Sequence, residues 1–300
     1  MSDNLKVPNF SGRRTFDYIF EQLEFCIKDI APLFLYLTDE NIYKKEFYNK
    51  ALALLETRPK LDLKQLALCD IAYNIVFFGV SSGSINILSR LFEKYYNSLF
   101  IQGVLFVITK KPHIDSGRFE SWIAFRKTFL NNITEQLHEA ILNNKTNFSF
   151  DPNQGLTNVL NSLSGNNFHK YYGGFQFELG HYYRHLFQTV KYINEQNILK
   201  YKEKYEYIKT LRAQLSTPEQ YLLFFNSISV IGRDWEFNNI TTKNTFKTVN
   251  RLLITKYNLI KNIPDWFVFD KIDIKNYYPD IDFEFADKSK NRLEIETYFK

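Results

Sequence analysis

Five histidines occur in the 300 residues, and three of them, His169, His181 and His185, fall within one short stretch. His181 and His185 stand four apart in "GHYYRH", with Arg184 between them and Glu178 three residues ahead of His181. Residues three and four apart share a face of an α-helix. On that spacing Glu178, His181, His185 and Gln188 form a polar ridge, with Arg184 at its border. Phe175, Leu179, Tyr182, Leu186, Val190 and Ile193 form the opposite, apolar face, which is expected to pack inward.

Such a ridge suits three uses. In metal-free phosphodiester cleavage, His181 or His185 would exchange protons as general base or acid near neutral pH. Arg184 would hold the phosphate and the charge that develops on it, Glu178 would orient a histidine, and Asn226 in "FFNSIS" would contribute from another helix. In metal binding, His181 and His185 have zinc spacing with Glu178 as a third ligand. The glutamate of HExxH is absent, however, since Tyr182 follows His181, and no Cys/His partner cluster appears elsewhere. Neither a metal nor an organic cofactor is therefore expected. In the third use the ridge binds an anion or a partner without chemistry. Against all three stands the ordinary reading, in which a polar helix face is simply solvated. Gly173–Gly174 ahead of the helix is a weak signal for phosphate cradling. No G-x-x-x-x-G-K-[ST], G-x-S-x-G or paired Cys-x-x-Cys is present, which excludes P-loop nucleotide hydrolysis.

The elements around this ridge read as helices. "TFDYIFEQLEFCIKDIAPLFLYL" has helical spacing at 15–37, with Pro32 expected to kink or end it. Further helices are expected over 41–57, 62–78, 84–98, 116–142 and 174–195, then a charged helix around "NILKYKEKYEYIKTLRAQL". "STPEQYLLFFNSIS" opens with helix-start signals: Thr217 as cap, Pro218 in first position and Gln220 closing a capping box. One more helix is expected over 244–262. "DIDFEF" and "RLEIETYF" alternate apolar and polar residues around "ADKSKN", which suggests a terminal β-hairpin. The fold class expected is mainly α, a multi-helix bundle-like architecture. Its N-terminal helical region is 1–142, an Asn/Ser/Gly-rich loop or linker spans 143–168, and a C-terminal helical region of 169–300 carries the ridge.

Composition sets the outer limits. The net charge of +5 and pI near 8.9 allow a phosphate-rich partner without demanding one. Twenty-nine Phe and 20 Tyr give an aromatic share of 17%. An AT-rich coding sequence accounts for that simply; stacking on bases is the functional alternative. Cys26 and Cys69 sit in apolar helical patterns and read as buried thiols. The first residues have no secretory signature, and the most apolar runs, "IAYNIVFFGV" and "SLFIQGVLFVI", are about half the length of a membrane span. A cytoplasmic protein is expected.

"ELGHYYRHLFQTVKYI" resembles the central motif of the putative phage abortive infection family, the AbiC-like proteins. "CDIAYNIVFFGV" (Cys69–Val80) is similar to the family's N-terminal block, and "STPEQYLLFFNSIS" with "RLLITKYNLIKNIP" to its C-terminal pair, in the same order. The resemblance implies a bacterial anti-phage defence protein, a toxin-like effector that stops growth of the infected cell. It carries no residue-by-residue catalytic assignment. A wider likeness to helical HEPN ribonucleases fails on spacing. Their arginine precedes a histidine by four to six residues, whereas His185 follows Arg184 directly and 188–190 are Gln, Thr and Val. A metal-independent ribonuclease therefore rests on the ridge itself. The alternative is a non-enzymatic sensor or interaction module. Its partners would be RNA or a phage protein, and a homo-oligomer is compatible with either reading.

Overall fold

A computed structural model describes residues 12–163, 169–237, 252–264, 272–284 and 296–298. In chain order its helices are α1 (Arg13–Ile30), α2 (Asp39–Ile42), α3 (Lys45–Leu52), α4 (Leu63–Phe78), α5 (Ser82–Phe92), α6 (Ser98–Lys110), α7 (Phe119–Leu142), α8 (Gln154–Leu163), α9 (Gln176–Glu195), α10 (Tyr201–Arg212), α11 (Thr217–Ile228), α12 (Leu253–Tyr257) and α13 (Ile274–Tyr277). Short 3-10 turns occupy Ala31–Phe34, Ala53–Glu56 and Arg233–Trp235. The mainly helical class is as expected. Among the described residues no helix is long and apolar enough to cross a membrane.

Helices α4 and α11 form the centre. Every residue from Cys69 to Phe77, and from Glu219 to Ile228, is buried. A helix covered on all sides belongs to the core rather than to the surface. α1 packs across both, α6 and α7 lie beyond α1, and α9 runs against the C-terminal part of α4. The starts of the central helices are locally encoded. The Asp62 side chain accepts from Gln65 N–H at the start of α4. The Ser216 hydroxyl accepts from Glu219 N–H, and the Glu219 carboxylate reaches back to Ser216 N–H at 2.6 Å. The capping box is therefore one residue earlier than Thr217 and Gln220 would place it. Pro218 falls in the first turn either way, where no amide donor is needed.

Several expected boundaries move. α1 ends at Ile30, and Pro32 sits in the 3-10 turn that follows. The 41–57 segment breaks into α2 and α3, because Tyr43 is extended and pairs with Tyr96 in an isolated bridge. Within 143–168, α8 forms, with Leu156, Leu160 and Leu163 buried. Of the helix expected over 244–262, residues 252–262 are described; α12 covers only Leu253–Tyr257, because Asn258 is left-handed (φ +52°) and ends it, and 238–251 lie outside the described residues.

The terminal hairpin is not supported: no strand occurs among the described residues. Its first half, 281–284, is a single irregular segment laid on the helical body. Ile281 and Phe283 are buried, Asp282 N–H donates to Asn258 Oδ1 at 3.2 Å, and Glu284 N–H donates to the Lys261 carbonyl at 3.2 Å. An apolar–polar alternation needs one buried side, and here helices rather than a partner strand supply it. Of the second half, 292–299, residues 296–298 are helical, and 292–295 and 299 lie outside the described residues.

Candidate functional site

The approach to α9 explains the glycines ahead of it. Gly174 has φ +93° and Gly79, just after α4, has φ +75°. A Cβ on Gly174 would lie 2.7 Å from the Phe78 carbonyl oxygen, and one on Gly79 would lie 2.5 Å from the Gly173 carbonyl oxygen. Two backbones thus cross at a distance that no side chain allows. Hydrogen bonds fix the crossing: Phe175 N–H donates to the Phe77 carbonyl at 2.9 Å, and Val80 N–H donates to the Tyr172 carbonyl at 2.9 Å. Phe175 thereby satisfies a carbonyl of the last turn of α4, which the helix itself leaves open. Gly174 and Gly79 are required by this crossing, whereas a Cβ on Gly173 would meet nothing within 4 Å.

From that anchor α9 turns Leu179, Tyr183, Leu186 and Val190 inward. Tyr183 OH donates to the Glu219 carbonyl at 2.8 Å, and the half-buried Tyr182 OH donates to Glu219 Oε1 at 2.9 Å. The inward face is therefore rotated slightly from the one that periodicity alone defines, with Tyr183 rather than Tyr182 at its centre. Glu178, His181, Arg184, His185 and Gln188 are all exposed. Their side chains make no hydrogen bond or ion pair among the described residues, so Glu178 does not hold a histidine there. No group of three His, Cys, Asp or Glu side chains suited to a metal ion occurs among the described residues.

A pocket of about 330 Å³ opens beside this face. Phe77 of α4 and Leu179, Gly180, Tyr183 and Phe187 of α9 form its apolar side. Ile231, Gly232, Asp234 and Trp235, from the segment after α11, close the far side with Asn226, and Arg184 and Gln188 stand at the α9 edge. Helical geometry advances about 100° per residue. His181 therefore flanks Arg184 and Gln188, while Glu178 and His185 turn away from the pocket. Phe177, 81% exposed, belongs to the same stripe as His181, Arg184 and Gln188. Of the expected site residues, Arg184 and Asn226 line the pocket. Asn226 does so as a wall: its Nδ2 donates to Tyr73 OH at 3.0 Å and its Oδ1 accepts from Trp235 Nε1 at 3.1 Å.

The far wall is held from beneath by a buried ion pair. Arg233 Nη2 donates to Asp70 Oδ2 at 2.9 Å, and both side chains are almost fully buried. Asp70 also accepts from Val230 N–H at 2.8 Å, from Asn74 Nδ2 at 2.8 Å and from Tyr96 OH. Burial pushes the Asp70 carboxyl up from its ordinary range, and these donors pull against that shift. The Arg233 guanidinium lies over the rings of Phe47 and Tyr95, 5.0 and 4.9 Å from their centroids. Gly232 is required in this loop, because a Cβ there would lie 2.0 Å from the Asn226 carbonyl oxygen. Residues 231–235 were absent from the sequence-based site. Gly232 beside an Arg-Asp-Trp run was the available signal, and it has no periodicity to mark it.

Residues 174–268 match the family model described as "Putative phage abortive infection protein". Comparison with curated proteins and with solved structures found no match. The matched abortive infection segment opens at Gly174, the crossing glycine. It includes all of α9 to α12 and the pocket wall at 231–235. The block Cys69–Val80 lies outside the matched residues, yet it supplies Phe77 to the pocket and Asp70 to the loop beneath it.

Proposed function

We propose that this protein acts in abortive infection, as an anti-phage effector that stops growth of the infected cell, and that it meets its target, RNA, through the exposed face of α9. One observation carries the reading. Arg184 is exposed at the edge of a concave pocket, inside the family-matched segment, with no partner for its guanidinium among the described residues. An unpaired planar guanidinium is suited to a phosphate, which it grips through two parallel N–H donors. His181 on the same stripe is the group placed to exchange a proton beside that phosphate. His185 is offset by about 100° from Arg184 on the helix, and His181 by about 60°, so His181 is the histidine that flanks the guanidinium and His185 stands farther from the pocket edge. Neither histidine lines the pocket itself, which favours a second reading, in which the face binds its target without cleaving it.

The test is plaque formation and survival of infected cells carrying wild type, Arg184→Ala, His181→Ala or His185→Ala, with folded protein levels matched. The proposal expects Arg184→Ala to abolish protection. Fragmented RNA in protected wild-type cells, lost in His181→Ala, supports cleavage; protection with intact RNA supports binding alone. Full protection by Arg184→Ala would refute the role of this face.

A further inference from the structure

We infer that the α9 face takes an unpaired stretch of nucleic acid, with one base lodged in the pocket, its phosphate on Arg184 and His181, and the neighbouring base stacked on Phe177. The inference rests on the reading that this face meets RNA, and it specifies the form of nucleic acid and how it is held.

Three features point to a single strand. The pocket, about 330 Å³, sits at the low end of ligand-sized cavities and is mixed in character. Phe187 and Ile231 offer apolar contact, while Gln188 and Asp234 offer an amide and a carboxylate for the polar edge of a flat heterocycle. A base reaches such a recess only when it is free of a stacked duplex. Phe177 is 81% exposed, and its ring takes part in no contact with another ring among the described residues. An aromatic ring left open to water, two helical turns from a cation on the same stripe, is the pairing that holds single strands, the ring taking a base and the cation a phosphate. Finally, Phe177, His181 and Arg184 lie in one line along α9, with about 10 Å of helix rise from first to last. That spacing lets one extended segment touch ring, imidazole and guanidinium in succession.

Gly180 supplies an independent handle. It lines the pocket, and a Cβ built on it meets the Phe77 ring at 3.5 Å, an ordinary contact. A leucine there would fill the recess from the α9 side while leaving Arg184 and Phe177 untouched.

The experiment is fluorescence anisotropy with a labelled ten-nucleotide RNA, single-stranded or annealed to its complement, and with AMP as competitor. Wild type, Phe177→Ala, Arg184→Gln and Gly180→Leu are compared, each checked by circular dichroism and thermal melting. The expected result is tight binding of the single strand, weak binding of the duplex, and a loss of about tenfold or more for each variant. Competition by AMP at concentrations similar to the strand would assign the pocket to a free nucleotide and overturn the strand reading. Equal binding of duplex and single strand, or unchanged binding by Phe177→Ala and Gly180→Leu, would overturn it as well. If no RNA binds but Arg184→Ala still abolishes phage protection, this inference fails while the functional role of the α9 face survives. If RNA binding is lost in Arg184→Gln while protection persists, the binding mode stands and the functional proposal falls.

Discussion

Replacing Asp70 by asparagine keeps the shape of the side chain and removes its charge. Arg233 is then left as a cation that is 2% exposed, with its Nε and Nη1 already lacking hydrogen-bond partners among the described residues. What remains for it is the faces of Phe47 and Tyr95, about 5 Å away, worth about 2 kcal/mol in a dry site. Stranding one member of a buried pair costs about 3–5 kcal/mol. For a chain of 300 residues that corresponds to a fall in Tm of roughly 5–8 °C, taking about 2.1 cal/mol/K of unfolding entropy per residue. The companion variant removes both charges. Asp70→Asn with Arg233→Met leaves no unpaired ion, and the pair is expected to lose less than about 2 kcal/mol. Urea unfolding of the wild type, both single variants and the double variant gives the coupling directly. A loss below about 1 kcal/mol in Asp70→Asn, or a double variant as unstable as the sum of the singles, would refute the argument. Because Arg233, the partner of Asp70, belongs to the 231–235 wall, Asp70→Asn is further expected to loosen that wall and weaken any ligand of the pocket.

The glycines divide by sign. Gly174→Ala and Gly79→Ala each place a methyl against backbone at 2.7 and 2.5 Å and at positive φ, and each is expected to destabilise by more than about 2 kcal/mol in thermal melts. Gly180→Ala meets only ordinary contact inside a helix and is expected to stabilise by about 0.5–1 kcal/mol. Lys170 gives a pH signature: burial, with the charges of Lys110 and Arg118, pushes its pKa down to about 8. The folded state then holds fewer protons than the unfolded one between about pH 8 and 10.4, so stability gains as pH rises through that window. That gain should disappear in Lys170→Met, as read from urea midpoints at pH 7.5 and 10. Cys26 and Cys69 are buried with their thiol pKa values raised by burial, so a thiol reagent should label neither until the protein unfolds.

Helix positions were legible because their signal is local. α4, α7 and α9 each fall within a few residues of the expected span, since apolar spacing and start signals are written in the segment itself. α6 was not assigned, because a run such as "SLFIQGVLFVI" is apolar all round and has no period to read. α8 was hidden by composition: Leu156, Leu160 and Leu163 have helical spacing but stand among Asn, Ser and Gly. At the site, the exposed side of α9 was legible and its neighbour was not. A helical wheel places His181 and Arg184 on the outside, yet it cannot say that Trp235 and Asp234 close a pocket beside Arg184 and not beside His185. That fact belongs to long-range pairs such as Asp70–Arg233, and no local pattern encodes them.

Those same pairs impose an order of assembly during synthesis. Asp70 lies on the central helix, but its cation is 163 residues downstream. At about 5–20 residues per second, a ribosome takes roughly 8–30 s to pass from one to the other. Through that interval α4 carries a carboxylate with no counter-charge, and its last turn waits for Phe175 to reach the Phe77 carbonyl. The amino-terminal helices are thus made early and completed late. A nascent chain stalled before residue 233 would hold the crossing glycines already in place above an ion pair still missing its arginine.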